Sequence, residues 1–170
     1  MSITVPTRHN TTLQQVLAAV NADAELAQLY VCANMNAVDR SQMSDHGEVH
    51  IRIVANAALR LLRLLVEADI TPNIVTDYGL TVDDAEVIVV LASCLHDVGI
   101  AIHRENHEHH SLVIAYPKAR QLLTGVYPEP QLTTMVSEVL HAIIAHNWAE
   151  KCLTLEAGVV KVADALDMKQ

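Results

Sequence analysis

The chain has 170 residues, a hydrophobic fraction of 51% and a formal net charge of -9 at pH 7. This length suits one compact domain with its own core, and this hydrophobic content excludes a disordered chain. The acidic balance excludes the basic face that nucleic-acid binders present, so no DNA-binding signature is found. Three widely spaced cysteines argue against a disulfide framework and against a cysteine-based zinc site.

Few glycines and prolines interrupt the chain and long stretches keep helical spacing, so the sequence predicts an all-α bundle. The N-terminal helices are expected over residues 11–38, with Thr11 or Thr12 as the first cap and a break near residues 21–23. The polar N-terminus lacks the apolar core of a signal peptide, and no apolar stretch reaches the roughly 18 residues of a membrane span. A cytoplasmic protein with no membrane partner is therefore expected.

Further helices are predicted along the rest of the chain. Ser44 or Asp45 can cap a long helix over about residues 46–69, and Thr81 or Asp83 can cap the next one, which Gly99 closes. The other expected elements are a turn at 71–73, a loop at 77–79, a helix at 106–123 with a kink or restart at Pro117, a loop around Pro128 and Pro130, and helices at 131–146 and about 153–168. Together they form a single domain, residues 1–170, with a core at about 45–168.

A histidine and an aspartate, His96 and Asp97, stand together in the apolar run that begins at Ile88. Such a helix should be buried, and buried charge is costly unless it is paired or bound to a metal. Imidazole and carboxylate are usual ligands of divalent cations, so this pair indicates a metal site. Other polar side chains lie in similar apolar helix contexts: His50, His107, His146 and Asp164. Side chains of this kind can converge in a bundle core, and their number suits two metals bridged by a carboxylate better than one tetrahedral zinc.

In this order, His50, His96-Asp97 and Asp164 resemble the signature of the HD-domain metal-dependent phosphohydrolase superfamily. The likeness extends over about residues 45–167 to its dinuclear branch, which includes diadenosine tetraphosphate hydrolases. The motifs that carry this extension are His107 with Ser111 four residues on, Ala142-Ile143 before His146, and Val162-Ala163 before Asp164. The resemblance implies an HD-domain helical bundle with Asp97 as a bridging ligand. The metal ligands that it implies are His50, His96, Asp97, His107, His146 and Asp164.

The resemblance also implies an activity, the hydrolysis of a phosphate ester or phosphoanhydride by a metal-activated hydroxide. The partner would be a small phosphorylated substrate resembling a nucleotide, and a homodimer is open. The cofactor would be one or two divalent metal ions, with iron or manganese favoured and zinc, cobalt, nickel or magnesium open. Two other functions stay open: a nucleotide-binding or regulatory HD module with little turnover, and an HD-type di-iron oxygenase.

Three residues are candidates for catalysis: His46, Asp97 and Lys161. His46 precedes His50 by four residues and would share its helix face. A similar pair of histidines in cyclic-nucleotide phosphodiesterases implies a general acid, and a capping or ligand-orienting role is the equal alternative. Lys161, one turn before Asp164, is the best-placed cation to meet substrate phosphate, and Arg104 could reach the pocket mouth.

Several neighbouring side chains have open roles. His110 is the alternative to His107 as a ligand, and Asp167 either orients a ligand histidine or is a solvated charge. The remaining histidines are expected to be neighbours or surface residues: His9, His103, His109 and His141. The chain ends six residues after Asp164. Closure of the pocket is therefore expected from the N-terminal residues, a partner subunit or a further portion of a longer protein.

Overall fold

Helices make up 70% of the computed structural model, which describes residues 2–167 and has no β-strand in that range. The predicted all-α helical bundle is therefore confirmed. The helices are α1 Thr11–Ala22, α2 Ala24–Asn34, α3 Glu48–Glu67, α4 Asn73–Tyr78, α5 Val82–Leu95, α6 His107–Leu123, α7 Gln131–Ala145 and α8 Leu155–Leu166. A π-helical segment, Met35–Arg40, continues α2, and a 3-10 segment, Val98–Ala101, follows α5. The predicted last helix end, Met168, lies outside the described residues.

Short polar side chains cap several helices. Asn10 caps α1 by accepting from the backbone N–H of the third helical residue, so the expected cap at Thr11 or Thr12 is wrong by one or two positions. Asp23 caps α2 in the same way, which accounts for the predicted break. Thr81, one of the two predicted caps of α5, forms a capping box there. The chain therefore turns where a side-chain oxygen can replace a missing helical acceptor.

The long helix α3 begins later than the sequence predicts. Its N-cap is Gly47 and its first helical residue is Glu48, so neither Ser44 nor Asp45 caps it. The Asp45 carboxylate accepts from the Gly47 backbone N–H at 3.0 Å and so closes a turn that precedes the helix. His46 therefore lies in the loop before α3 rather than on its first turn.

Two other predicted boundaries are wrong. Asp77 and Tyr78 belong to the short helix α4, and only Gly79, with φ of 68°, leaves the helical conformation. Helix α5 ends at Leu95, so Gly99 does not close it and lies instead in the 3-10 segment. His96 and Asp97 therefore form the bend between α5 and the 3-10 segment.

Helix α5 is the centre of the bundle. All its residues from Ala85 to Leu95 are buried, and α1, α3, α7 and α8 pack around it. Helix α6 is continuous through Pro117 and packs against α7 and the 3-10 segment. Near the start of α5 the buried Glu86 carboxylate accepts from two nitrogens of the Arg63 guanidinium, at 2.6 and 2.9 Å, so this charge is paired. Because α5 is surrounded, its C-terminal end delivers His96 and Asp97 into the interior.

No single helix in the described part of the chain is long and apolar enough to cross a membrane. The two helical segments Thr11–Ala22 and Ala24–Arg40 together have the length and apolar composition of a membrane span, but the chain bends by 66° between them.

Candidate metal centre

Six polar side chains converge where α5 ends. Five of them are buried and Asp164 is partly buried. They come from five helices or helix ends: His50 from α3, His96 and Asp97 after α5, His107 from α6, His146 after α7, and Asp164 from α8. Three groups of three among them have donor atoms within 4.8 Å of one another, and each group could hold a metal ion. The structure thus brings together all six residues that the resemblance implied as ligands.

Asp97 lies between two pairs of histidines. Its Oδ2 atom is 3.4 Å from the Nε2 atoms of both His50 and His96. Its Oδ1 atom is 3.1 Å from Nε2 of His107 and 3.7 Å from Nε2 of His146. Within each pair the two Nε2 atoms are 3.3 Å apart. The two oxygens of one carboxylate therefore face two separate sets of imidazole nitrogens.

The carboxylate of Asp164 joins the first pair. Its Oδ1 atom lies 3.4 Å from Nε2 of His50 and 3.5 Å from Nε2 of His96. One half of the centre therefore offers two imidazoles and two carboxylates. The other half offers His107, His146 and the second oxygen of Asp97.

These separations match the spacing of ligands around a common ion. Donor atoms about 2.1 Å from a metal lie about 3.0 to 3.4 Å apart when their angle at the metal is between about 90° and 109°. The contacts made by Asp97 Oδ2 and Asp164 Oδ1 fall at or close to that range, at 3.4 to 3.5 Å. Imidazole nitrogen and carboxylate oxygen are ligands that divalent transition metals accept. The donor set therefore fits one or two divalent ions.

Acceptors lie on the outer side of all four histidines, and at His107 the Arg104 guanidinium, which can only donate, also approaches Nδ1 at 2.6 Å. The partners of the four Nδ1 atoms are a carboxylate oxygen of Asp167 for His50 (2.8 Å) and the backbone carbonyls of Ser93 for His96 (2.8 Å), Arg104 for His107 (3.1 Å) and Ile143 for His146 (2.5 Å). An Nδ1–H that donates outwards leaves the Nε2 lone pair for a metal. Asp167 thus contacts a histidine of the centre, one of its two predicted roles.

The charges of the centre shift one another's pKa. Burial lowers the pKa of His50, but hydrogen bonds to Asp164 and Asp97 outweigh burial and raise it to about 9. Burial likewise opposes protonation of His96, and the charge of Asp97 raises its pKa well above the usual value. Burial works against ionisation of Asp97, whereas the charge on His96 and bonds from the histidines hold its pKa well below the usual range. Burial and the charge on His96 lower the pKa of His146 to about 4. Without a metal, two imidazolium groups therefore balance the carboxylates, and a metal must displace their protons.

The centre opens into a cleft of about 390 Å³, and His46 lines it. The prediction that His46 shares a helix face with His50 is wrong, because His46 precedes α3. The loop still brings the two rings together, with their centroids 5.3 Å apart. The backbone N–H of His46 donates to Asn34 Oδ1 at 3.0 Å, and its ring Nδ1 lies 2.7 Å from the carbonyl oxygen of Ser44. The imidazole is thus held beside the centre without belonging to a metal-holding group.

Lys161 also lines the cleft, but its ammonium group is engaged elsewhere. Its Nζ atom donates to the carbonyl oxygens of Asn147 at 2.7 Å, Trp148 at 3.2 Å and Glu150 at 2.8 Å. An ammonium has three donors, so these bonds use all of them. In this structure Lys161 anchors the loop that follows α7, and its contact with phosphate stays a prediction.

His107 rather than His110 faces the centre. Among the described residues, none of the candidate metal groups contains His110. Two other histidines serve the backbone instead, His103 by accepting from the N–H of Glu105 and His141 by accepting from that of Leu153. Helix α6 therefore presents its first residue to Asp97 and turns His110 away.

The bend at His96 and Asp97 is fixed against α6. The Ser111 hydroxyl donates to the His96 carbonyl oxygen at 2.5 Å and accepts from the Gly99 N–H at 2.9 Å. A Cβ atom added to Gly99 would lie 2.2 Å from the carbonyl oxygen of His107, so only glycine allows this approach. The close contact sets the distance between Asp97 and the histidine at the start of α6.

Five residues that line the cleft were not singled out from the sequence: Met43, Glu108, Asn147, Trp148 and Ala165. Glu108 is buried, with its Oε2 atom 3.4 Å from Nδ1 of His107, and its position next to a proposed ligand was the available signal. Met43 and Trp148 lie in loops, and no spacing pattern in the sequence places a loop residue beside a distant helix.

Comparison with known proteins identifies the family. The HD domain family model matches residues 49–169. The chain therefore belongs to the HD domain family, whose members are typically metal-dependent phosphohydrolases. An uncharacterised protein of Methanocaldococcus jannaschii is 40% identical over 136 residues, which cover 80% of this chain and 52% of that protein. The chain thus spans about half the length of the curated relative it matches. No solved structure matches the chain.

Proposed function

We propose that this chain is a metal-dependent hydrolase that cleaves a phosphate ester or phosphoanhydride of a small, nucleotide-like molecule. The observation that supports it most is the position of Asp97, whose two oxygens face two separate pairs of histidine Nε2 atoms within an HD domain. This arrangement suits two ions sharing one carboxylate, as in the dinuclear branch that the sequence resembles. Iron and manganese are the favoured ions, with zinc, cobalt, nickel and magnesium as alternatives.

The proposed ligands are His50, His96, Asp97 and Asp164 on one side, and His107, His146 and Asp97 on the other. When bound, divalent ions would supply Lewis-acid neutralisation of phosphoryl charge and a lower pKa for water. The chain's own carboxylates would otherwise repel an anionic substrate, since Asp97, Asp164, Asp167 and Glu108 all line the cleft. Substrate binding should therefore depend on metal as strongly as turnover does.

Arg104 is the side chain we propose for direct contact with phosphate. It lines the cleft with its Nη1 atom 2.6 Å from Nδ1 of His107, and its Nε atom is buried and has no hydrogen-bond partner among the residues that the structure describes. A buried donor without an acceptor is costly, and a phosphate oxygen would satisfy it. Lys161 is less suited, because its three donors are used by backbone carbonyls.

His46 is the proposed proton donor. Hydrolysis breaks one P–O bond, adds the oxygen of water to phosphorus and leaves an oxygen that needs a proton. The Nδ1 atom of His46 is occupied by the Ser44 carbonyl, so the imidazolium form would deliver the proton from Nε2. The ring lies in the cleft beside His50 and outside the metal-holding groups, which supports a role in proton transfer rather than in metal binding.

The test combines metal analysis with turnover. Protein purified without added metal is analysed for metal content, stripped with a chelator and reloaded with iron, manganese, zinc, cobalt, nickel or magnesium. Each form is assayed on nucleoside phosphates, dinucleoside polyphosphates and simple phosphodiesters. Turnover should vanish on stripping and return with one or more ions. Asp97→Ala should lose both metal and turnover, whereas Asp39→Asn, at an exposed position outside the cleft lining, should keep both.

His46→Ala separates the two roles of histidine. It should keep its metal and lose most of kcat, about 100-fold or more. A loss of metal would make His46 a ligand instead. Binding of nucleotide with metal present and no turnover would favour a regulatory module, and oxygen uptake with a mixed-valence di-iron signal would favour an oxygenase. Either result would overturn the proposed hydrolysis.

A further inference from the structure

Trp148 stands at the mouth of the metal cleft with its ring in solvent. It is the one tryptophan of the sequence, and 88% of its surface is exposed. It lies in the loop between α7 and α8, two residues after His146, and it lines the same cleft as the histidines and aspartates of the centre. A single exposed apolar side chain is common on a protein surface, but this indole offers its large apolar face to the same cleft that the metal centre opens into.

The backbone that carries this ring is held firmly. Lys161 donates to the carbonyl oxygens on both sides, those of Asn147 and Glu150, and to that of Trp148 itself. The Asn147 side chain closes the turn by accepting from the Ala149 N–H at 2.9 Å. The backbone that carries the Trp148 ring is therefore ordered before a ligand arrives, which reduces the conformational entropy lost on binding.

The cleft is larger than a phosphate group alone requires, and its lining is more varied. Its volume of about 390 Å³ is that of a site for a small organic ligand. Its lining combines the carboxylate and imidazole donors of the centre, the cationic Arg104, and two apolar side chains, Met43 and Trp148. Polar donors for a phosphoryl group and a planar apolar surface thus border one space. A ligand that satisfies both parts carries a phosphate and a flat, aromatic ring.

We propose that Trp148 stacks on the planar ring of the substrate, so that the substrate class is a phosphate attached to an aromatic ring system, such as a nucleotide. This inference rests on the proposed phosphohydrolase function for the position of the phosphate. Lys161 is then a positioning residue that holds the stacking loop. Stacking of a base on an aromatic side chain strengthens binding by a factor of about 5 to 140 when expressed as an affinity ratio.

The single tryptophan makes the proposal directly measurable. Metal-loaded protein is titrated with adenosine monophosphate and, in parallel, with ribose 5-phosphate, while tryptophan fluorescence is recorded. Adenosine monophosphate should quench the emission in a saturable way, and ribose 5-phosphate, which has the phosphate without the ring, should not. Trp148→Ala should raise KM for nucleotide substrates about 5- to 140-fold with little change in kcat, and leave KM for phosphates without a ring unchanged.

Two further variants serve as controls for the stacking interpretation. Trp148→Tyr keeps an aromatic face and should recover most of the affinity for nucleotides. Leu153→Ala removes another apolar side chain of the same loop, 70% exposed and outside the lining of the cleft, and should leave every kinetic constant unchanged. Because both side chains are exposed, all three variants should melt within a few degrees of the unmodified protein.

The outcomes separate this inference from the proposed function. Turnover of both kinds of phosphate with equal KM, and no quenching by the nucleotide, would overturn the stacking site and leave hydrolysis standing. Quenching by adenosine monophosphate without turnover of any phosphate would support the stacking site and overturn hydrolysis. Emission that changes with protein concentration, and a Trp148→Ala variant of altered oligomeric mass, would show that Trp148 contacts another protein chain, and would also overturn the inference.

Discussion

The Nδ1 atom of His50 lies 2.8 Å from the Oδ2 atom of Asp167, a residue 117 positions later in the chain. His50 stands near the start of α3, and Asp167 directly follows α8. The pKa of His50 is raised to about 9, so at neutral pH this nitrogen carries a hydrogen and donates it to the carboxylate. The bond turns the other ring nitrogen towards Asp97 and Asp164.

Removal of this outer carboxylate should weaken metal binding without destroying the fold. Asp167→Ala is expected to lower metal affinity about 10- to 100-fold, because a ligand histidine that loses its outer partner loses both orientation and basicity. The affinity is measured by competition with a chelator of known strength. Asp39→Ala, at an exposed position, is the matched control and should bind metal like the unmodified protein. An unchanged affinity for Asp167→Ala would show that the backbone alone orients His50.

The sequence was sufficient to predict the polar residues of the centre. His96 and Asp97 directly follow an apolar run, residues 88–95, in which Ser93 is the only other polar side chain, and a charged pair in such a run can be recognised from the sequence alone. His50 and Asp164 interrupt apolar helix faces in the same way. Local periodicity therefore indicates some of the candidate positions, the family resemblance implies the full set, and the bundle brings them together. The resemblance to the HD signature then showed that these residues occur along the chain in the order expected for one site.

The loops could not be predicted in the same way. His46 reaches the cleft because Asn34, at the end of α2, accepts from its backbone N–H, and that contact joins α2 to the loop before α3. Trp148 is placed by Lys161 from α8. Hydrophobic period carries no information about such bonds, since they depend on which elements become neighbours only after folding. The wrong start of α3 has a local cause instead, because the turn that Asp45 closes with the Gly47 N–H competes with a helical cap.

A pair of glycine substitutions should test the contact between the His96-Asp97 bend and α6. Gly99→Ala places a methyl group 2.2 Å from the carbonyl oxygen of His107, and backbone atoms cannot move aside cheaply. We expect it to lower the free energy of unfolding by about 3 kcal/mol or more and to weaken metal binding. Gly158→Ala is the matched control, since an added Cβ there meets nothing within 4 Å in helix α8. It should stabilise the protein by about 0.5 to 1 kcal/mol.

Urea unfolding and metal competition provide both readouts for this pair. If Gly99→Ala kept its stability and its metal affinity, α6 would have to shift without disturbing His107, and the proposed role of the close approach would be wrong. Destabilisation by Gly158→Ala would instead indicate that the face of α8 around this residue is more tightly packed than its open surroundings suggest.

Two ion pairs on α6 should differ strongly in their contribution to stability. The buried ammonium of Lys118 donates to Asp23 at 2.8 Å, at the start of α2. Lys118→Met removes the ammonium that Asp23 and Glu25 share, leaves Asp23 with the Leu26 backbone N–H, and should cost about 3 kcal/mol of unfolding free energy. Arg120 lies two residues after Lys118 on the same helix and forms an exposed ion pair with Glu129. Arg120→Met removes this pair and should change stability little. Chemical denaturation of both variants decides the point, and equal losses would mean that the Lys118 pair behaves as a solvated one.

The pH dependence of stability should reverse when metal is bound. In the metal-free protein the pKa of His50 rises from 6.5 to about 9 on folding, and that of His96 also rises. A pKa raised by folding gives stability that is fully present below pH 6.5 and is lost as the pH rises through about 9. The metal-free protein should therefore lose stability between those two values. Bound metal competes with these protons, so its affinity and the stability it confers should increase over the same window.

Denaturation at pH 6.5 and 9, with chelator and with saturating metal, measures both trends. In His50→Gln the metal-free loss should shrink, and a metal-free stability that rises with pH across this window would contradict the assigned protonation of the centre.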